Sequence, residues 1–177
     1  MPREATAENN MAVTHPELAA EFHPTRNGDL TPEIVIAGTS KKLWWKCPVA
    51  DDHEWQATGT NRAKPQGTGC SVCAGQKVVV SNCMATTHPE LAAEFHPTRN
   101  GDLTPEMLVA GTSKKLWWKC DVADDHEWQA TGNTRVSGSG CSVCAGYKVV
   151  LSSSLATTHP GLAAEFHPTK NGDLTPE

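Results

Sequence analysis

The chain has 177 residues and a net charge of −5, and its aromatic residues are six Trp, three Phe and one Tyr. No segment reaches the roughly 20 apolar residues of a membrane span, and no apolar stretch of signal-peptide length follows the N-terminus. We therefore expect no membrane association and a cytoplasmic, reducing location. A core with so few large apolar residues is expected to need a further source of stability.

A repeat of about 72 residues organises the chain. The sequence THPELAAEFHPTRNGDLTPE occupies 14–33 and returns unchanged at 87–106, and a third copy, THPGLAAEFHPTKNGDLTPE, fills 158–177. Self-similarity at a fixed period indicates a repeated structural unit. We therefore divide the chain into a flexible N-terminus (1–12), connector 1 (13–38), finger 1 (39–80), connector 2 (81–111), finger 2 (112–151) and connector 3 (152–177), which is an incomplete repeat.

Each connector is predicted to form a short helix followed by turns. In connector 2, Thr87 and Glu90 have the spacing of a capping box at the start of that helix. Leu91 and Phe95 are four residues apart, so they lie on one helical face. The Asn-Gly pair at 100–101 is a turn signal.

Each finger contains three Cys and one His in a matched order. Finger 1 has the spacing Cys-x5-His-x16-Cys-x2-Cys, and finger 2 has Cys-x5-His-x14-Cys-x2-Cys. Structural zinc is tetrahedral, and three Cys with one His is a usual ligand set. Because the ligand types are kept while the loop changes length, the pattern predicts two structural zinc ions per chain. The predicted ligands are Cys47, His53, Cys70 and Cys73 in finger 1, and Cys120, His126, Cys141 and Cys144 in finger 2.

Other roles for the cysteines and histidines fit the sequence less well than zinc binding. A Cys-x2-Cys pair alone is also typical of redox proteins, but here each pair accompanies a matched Cys and His. Iron–sulfur clusters prefer a fourth Cys ligand. Cys83 shares a repeat column with Asn10 and Ser154, so we expect its thiol to bind no metal. The six connector histidines are expected to have structural roles.

The chain resembles a known family in the residues KKLWWKC, HEW, a loop arginine, CSVCAG and the LAAEFHP connector. The family is that of the probable zinc-ribbon or treble-clef zinc-finger repeats, and the resemblance runs from about Val13 to the end. It implies a small α+β, zinc-stabilised fold of tandem fingers, each a β-hairpin plus knuckles, joined by short connector helices. It also implies the eight ligands above and contact with nucleic acid, because such repeats sometimes accompany nuclease domains.

One departure from the family bears on that contact. The family often has Gly before the ligand His, whereas this chain has Asp52 and Asp125 there. Each belongs to an acidic pair, so phosphate contact is not expected at that loop.

Charge is unevenly distributed along the chain. Finger 1 has a net charge of +3 and finger 2 of +1, whereas the connectors are acidic. Nucleic-acid-binding modules usually carry a basic surface, and here that surface would surround the Trp pairs. The candidate contact residues are Lys41, Lys42, Lys46, Arg62, Lys64, Lys114, Lys115, Lys119 and Arg135.

The Trp-Trp pairs cannot be fully buried on one side. Neighbouring residues of a strand point to opposite faces, so Trp44 and Trp45 must separate. One is expected in the core, and the other faces the connector helix or a partner.

Three functions fit these features. The first is a non-catalytic module that binds nucleic acid, with DNA recognition preferred, and the second is a protein–protein interaction module that uses exposed Trp. The third is a remnant or accessory part of a nuclease, since EFHPTRNGDL places a His near an Asn. The sequence shows neither a pair of carboxylates spaced for acid–base catalysis nor a phosphate-binding glycine loop. We therefore expect neither catalysis nor a small-molecule substrate.

Overall fold

A computed structural model describes residues 4–177, which form two compact units. The first unit ends at Asn82, and the second is Cys83–Glu177. The first unit contains helices α1 (Met11–Thr14) and α2 (Pro16–Ala20), strands β1 (Lys42–Lys46) and β2 (Glu54–Thr58), helix α3 (Gly59–Ala63) and a 3-10 turn at Val80–Asn82.

The second unit repeats this order and adds a 3-10 turn before its first strand and the two helices of connector 3. Its elements are α4 (Met84–Thr87), α5 (Pro89–Ala93), a 3-10 turn (Pro105–Met107), β3 (Lys115–Lys119), β4 (Glu127–Thr131), α6 (Gly132–Val136), a 3-10 turn (Leu151–Ser153), α7 (Leu155–Thr158) and α8 (Pro160–Ala164). Within residues 4–177, every helix is too short or too polar to span a membrane.

The start of the first unit differs from the flexible N-terminus expected over 1–12. Asn10 caps α1 by accepting a hydrogen bond from the N–H of Val13 at 3.0 Å, and Met11 is fully buried. Cys83 and Ser154 occupy the same N-cap position in α4 and α7. The column that varies among Asn, Cys and Ser is therefore a helix cap. Residues 1–3 of the predicted flexible segment lie outside the described part of the chain.

Each connector begins with two short helices rather than the single helix that the sequence predicts. Thr87 ends α4, and its hydroxyl donates to the carbonyl oxygen of Cys83 at 2.8 Å. It therefore does not form the predicted capping box with Glu90. His88, with φ −143°, interrupts the helical backbone, and Pro89 then begins α5 at the position where a helix tolerates proline.

Strand alternation decides which tryptophan enters the core. Strands β1 and β2 are antiparallel, with Trp45 opposite Trp55 and Trp44 opposite Gln56. Trp45 and Trp55 are buried on the inner side of the hairpin, whereas Trp44 is only partly buried on the outer side. The β3–β4 hairpin has the same register. The second Trp of each pair is thus the core residue, and the first faces outward.

Connectors 1 and 2 each pack against the hairpin that follows them. The ring of Phe22 meets Trp45 edge-on, with centroids 5.9 Å apart and an interplanar angle of 79°. Leu18 joins the same buried cluster, and the N–H of Lys46 donates to the carbonyl oxygen of Glu21 at 2.8 Å. The second unit repeats the ring pair at the same distance. The connector therefore supplies part of the core of its finger.

A side-chain amide fixes the connector to the free edge of β1. Asn27 accepts a hydrogen bond from the N–H of Trp44 at 2.8 Å and donates to its carbonyl oxygen at 3.0 Å. Gly28 follows with φ 60°, a backbone conformation that glycine adopts without steric cost. The predicted Asn-Gly turn is therefore present, and its Asn also replaces a backbone partner of the strand.

Candidate metal centre

The turn between β1 and β2 brings the first two ligands together. Cys47 directly follows β1, and its N–H donates to the carbonyl oxygen of His53 at 3.0 Å. This bond continues the hairpin ladder one residue beyond the strands. Both side chains are buried at this end of the hairpin.

A tight knuckle presents the other two ligands. The N–H of Ala74 donates to the carbonyl oxygen of Cys70 at 3.0 Å, and the N–H of Cys73 donates to the sulfur of Cys70 at 3.5 Å. Gly75, with φ 68°, ends the turn. The buried side chain of Val72 anchors the knuckle in the interior. An N–H aimed at sulfur favours the thiolate, which is the form that binds metal.

The four ligand atoms of finger 1 form a compact cluster, all within 4.8 Å of one another. The Sγ of Cys73 lies 3.7 Å from the Sγ of Cys47 and 3.3 Å from Nδ1 of His53, and the Sγ of Cys70 lies 3.8 Å from that nitrogen. Tetrahedral zinc, with its usual bond lengths, requires S–S edges of about 3.8 Å and S–N edges of about 3.6 Å. The cluster therefore fits zinc.

Finger 2 builds the same cluster across a loop that is two residues shorter. The Sγ atoms of Cys120, Cys141 and Cys144 lie 3.4, 3.9 and 3.3 Å from Nδ1 of His126. All eight predicted ligands are thus brought together in two sets that fit two structural zinc ions. Four protein ligands fill a tetrahedral shell, which is the arrangement of structural rather than catalytic zinc.

Three neighbouring thiols make the cluster dependent on a cation. Burial, together with the neighbouring thiols of Cys47 and Cys70, raises the pKa of Cys73 to about 12. Burial and the equivalent neighbours raise the pKa of Cys144 to about 11. Without a metal the thiols of Cys73 and Cys144 keep their protons at neutral pH, whereas a divalent cation supplies the positive charge that stabilises their thiolates.

A serine and an aspartate orient the ligand imidazole. Because Nδ1 of His53 faces the sulfurs, Nε2 carries the ring proton, and it lies 3.1 Å from Oγ of Ser81. Ser81 donates from its N–H and its hydroxyl to Asp52 at 2.9 and 2.6 Å, and these bonds lower the pKa of the Asp52 carboxyl. Ser152 and Asp125 repeat this contact. The acidic residue before the ligand His thus has a structural partner.

The loop arginine lies inside the unit rather than at a nucleic-acid surface. The guanidinium of Arg62 pairs with Glu21 at 2.6 Å and lies 5.1 and 5.2 Å from the ring centroids of Trp45 and Trp55. Arg62 is 7% exposed, and Arg135, in the same place in the second unit, is 5% exposed. A guanidinium this enclosed cannot reach a phosphate, so both arginines are removed from the candidate contact surface.

The other candidate contact residues remain accessible. Lys46 and Lys119 are partly buried and pair with acidic residues of the ligand turn at 2.9 and 2.8 Å. The structure adds two residues that the sequence did not indicate, Arg26 and Arg99, whose guanidinium carbons lie 4.7 and 4.6 Å from the centroids of the outer tryptophan rings. No local pattern predicts this contact, because it joins a connector to a strand. The exposed candidates are Lys41, Lys42, Lys64, Lys114 and Lys115.

The buried connector histidines hold the fold rather than a metal. Nδ1 of His23 accepts hydrogen bonds from the N–H groups of Thr25 and Arg26 at 3.2 Å, so Nε2 carries the proton and donates to Glu54 at 2.9 Å. This hydrogen bond is the main cause of a lowered pKa of the Glu54 carboxyl. His96 makes the same contacts in the second unit.

Replacing Cys47 by Ser is expected to reduce the zinc content from two ions per chain to one, because a neutral hydroxyl is a poor zinc ligand. Native mass spectrometry gives the metal content, and amide hydrogen exchange should show protection lost in β1 and β2 but kept in β3 and β4. Cys83→Ser is the matched control, since it changes a buried thiol at a helix cap, and it should keep two zinc ions. Equal metal loss in both variants would contradict the assignment.

Replacing Arg62 by Lys is expected to lower the free energy of unfolding by about 2 kcal/mol, because an ammonium cannot stack over the two indole rings and pair with Glu21 as the planar guanidinium does. Denaturant unfolding of the zinc-loaded protein measures the change. Lys64→Arg, a charge-conserving exchange at a nearby exposed position, should change the free energy by less than about 0.5 kcal/mol. An unchanged stability of the Arg62→Lys protein would refute the interior role.

Comparison with known families agrees with this geometry. The family model described as "Probable Treble clef zinc finger domain" matches residues 18–76 and 91–147, which together are more than half of the chain. Each matched stretch begins in the second helix of a connector, includes the hairpin and contains all four ligands of its finger. Comparison with curated proteins gives no match. The chain therefore belongs to the probable treble clef zinc finger family and carries two tandem copies of its domain.

Proposed function

We propose that this protein is a non-catalytic, zinc-folded module that binds nucleic acid, DNA in particular, through the outer face of each hairpin. The observation that carries the proposal is an outward tryptophan with an arginine stacked on it and a lysine on either side, present twice. Zinc binding requires reduced cysteine thiols. Because the cytoplasm keeps thiols reduced, this requirement supports a cytoplasmic location. The outer faces consist of Arg26, Lys42, Trp44, Lys46 and Gln56, and of Arg99, Lys115, Trp117, Lys119 and Gln129.

Strand geometry places the aromatic ring between two positive charges. Lys42, Trp44 and Lys46 alternate with the buried residues of β1, so all three side chains leave the same side of the strand. Stacking of a base on an aromatic side chain contributes about 1–3 kcal/mol and tolerates any base. Lysines beside the ring can contact the phosphates that flank a stacked base.

The outer face is held rigid before any partner arrives. Asn27 fixes the backbone of Trp44 with two hydrogen bonds. Glu54 pairs with Arg26 at 3.0 Å and so keeps the guanidinium over the indole ring. A preorganised surface loses little conformational entropy on binding, which favours affinity.

Electrostatics also favour the fingers as the contact region. Without the metal sites the finger segments carry +3 and +1 in a chain of net charge −5, and each zinc with three thiolates adds about −1, so the loaded fingers carry about +2 and 0 against acidic connectors. The partner of Lys46 is Asp51, whose side chain is fully exposed. Exposed ion pairs contribute little to stability, so a phosphate can replace Asp51 at Lys46.

A protein partner is the second candidate, because ion pairs within the unit involve the basic residues of the outer face. Lys46 and Arg26 already have carboxylate partners, which weakens the positive field of the outer face. Tryptophan and arginine are also the residue types most enriched at the energetic centres of protein interfaces. The salt dependence of binding separates the two candidates, because phosphate contacts release counterions and interface tryptophans do not.

The nuclease-like residues support the non-catalytic part of the proposal. Both ring nitrogens of His23 are used in hydrogen bonds within the unit, and the amide of Asn27 is used at the backbone of Trp44. A general base or a metal ligand needs an available lone pair. Structural roles in the fold therefore account for His23 and Asn27, and no catalytic role is needed to explain them.

Fluorescence anisotropy with labelled duplex DNA, single-stranded DNA and RNA tests the proposal. The zinc-loaded chain should bind, with the logarithm of the affinity falling linearly as the logarithm of salt concentration rises. Lys42→Ala combined with Lys115→Ala should reduce that slope by about 2, because each phosphate contact contributes about 0.9. Trp44→Leu combined with Trp117→Leu should weaken binding and leave the slope unchanged.

The matched control removes two lysines outside the outer faces. Lys148→Ala combined with Lys170→Ala changes the net charge by the same amount and should leave the slope within the error of the wild type. Absence of binding to all three nucleic acids, or binding that does not respond to salt, would reject the nucleic-acid proposal.

A further inference from the structure

Connector 3 exposes residues that the two earlier connectors bury. Leu162 is 56% exposed and Phe166 is partly exposed. The corresponding Leu18 and Phe22 are each 8% exposed, and the second unit buries its pair to the same degree. His167 is also exposed, whereas its equivalents in connectors 1 and 2 are buried.

The first unit reveals what covers this surface elsewhere in the chain. Phe22 packs edge-on against Trp45 and pairs with it as an isolated antiparallel β-bridge. The N–H of His23 donates to the carbonyl oxygen of Trp44 at 3.1 Å, and Glu21 accepts from the N–H of Lys46 at 2.8 Å. The connector thus adds one short stretch of chain to the free edge of β1.

Polar contacts make the fit specific. Glu21 pairs with Arg62 at 2.6 Å, and His23 donates to Glu54 at 2.9 Å. Asn27 bonds both backbone groups of the outer tryptophan. The second unit repeats each of these contacts to within 0.1 Å. Two independent copies therefore define the same recognition pattern.

Connector 3 already has the conformation that holds a hairpin. His159, between α7 and α8, has φ −141° and ψ 65°, against −145° and 67° for His15. Gly172 has φ 62°, and Asn171 donates to the carbonyl oxygen of His167 at 3.1 Å as in the other copies. The recognition residues Glu165, Phe166, His167 and Asn171 are all present. A partner would therefore meet a preorganised surface.

We propose that connector 3 is a docking site for the hairpin of another treble-clef finger. The partner has a zinc-folded hairpin with a Leu-Trp-Trp-Lys strand whose edge is uncovered. It also has an arginine after its second strand to pair with Glu165, and a glutamate at the start of that strand to accept from His167. Docking proceeds by strand addition, with Phe166 placed edge-on against the inner tryptophan. This inference is independent of nucleic-acid binding.

A chain extended by one finger tests the docking site directly. Residues Met107–Ser153 are copied after Glu177, which corresponds to Glu106, so the appended finger meets connector 3 at the natural spacing. The extended protein should bind three zinc ions. Amide hydrogen exchange should show protection of the appended strands comparable to that of β3 and β4.

Phe166→Ala separates docking from independent folding of the appended finger. In the extended chain it should reduce the protection of the appended strands by about 100-fold, because a buried aromatic contact is lost. In the 177-residue chain it should change little. Leu151→Ala, which truncates an exposed apolar residue outside connector 3's docking surface, is the matched control and should be neutral in both chains. Equal protection of the appended strands with and without Phe166 would overturn the proposal.

A second copy of the chain is the competing occupant. Sedimentation of the 177-residue protein over a range of concentrations should show a monomer. A concentration-dependent dimer that Phe166→Ala abolishes would overturn the proposal by assigning this surface to self-association.

Discussion

A cluster of three sulfurs and one imidazole nitrogen is the contact on which each unit depends. It joins the hairpin turn, with Cys47 and His53, to the knuckle, with Cys70 and Cys73, and so closes a chain loop whose sixteen residues include β2 and α3. Closing such a loop costs conformational entropy, and a small unit has little apolar area to offset that cost. Burial and the neighbouring thiols also raise the pKa of Cys73 and so disfavour its ionisation. A zinc ion removes both obstacles, since it joins the segments and stabilises the thiolates.

The inner tryptophan organises the rest of the unit around this cluster. Trp45 is enclosed by the edge of Phe22, contributed by the connector, and by the guanidinium of Arg62, contributed by α3. Segments that are distant in sequence therefore pack against the indole ring of Trp45. The strand pleat that buries Trp45 also turns Trp44 outward, under Arg26. One dipeptide thus supplies both the centre of the core and the surface proposed to contact a partner.

The features that the sequence predicts correctly are those whose signal is local and repeated. The ligand spacing occurs twice with different loop lengths, so the two zinc sites and the tandem α+β fold could be predicted, and both are confirmed. Lysines near Arg62 in the sequence predict a surface position for its side chain, yet its partner Glu21 comes from the connector, and only tertiary packing reveals the pair. Thr87 fits a capping box locally, but α4 forms ahead of it and makes it the end of a helix.

If zinc closes and folds each unit, metal titration of the reduced, metal-free chain should follow the folding of both units. The near-ultraviolet circular dichroism of the buried tryptophans reports their packing while zinc is added. We predict weak near-ultraviolet circular dichroism in the metal-free chain, with an intensity that grows in proportion to added zinc and saturates at two ions per chain. A full signal in the presence of a chelator, or saturation at any other stoichiometry, would contradict it.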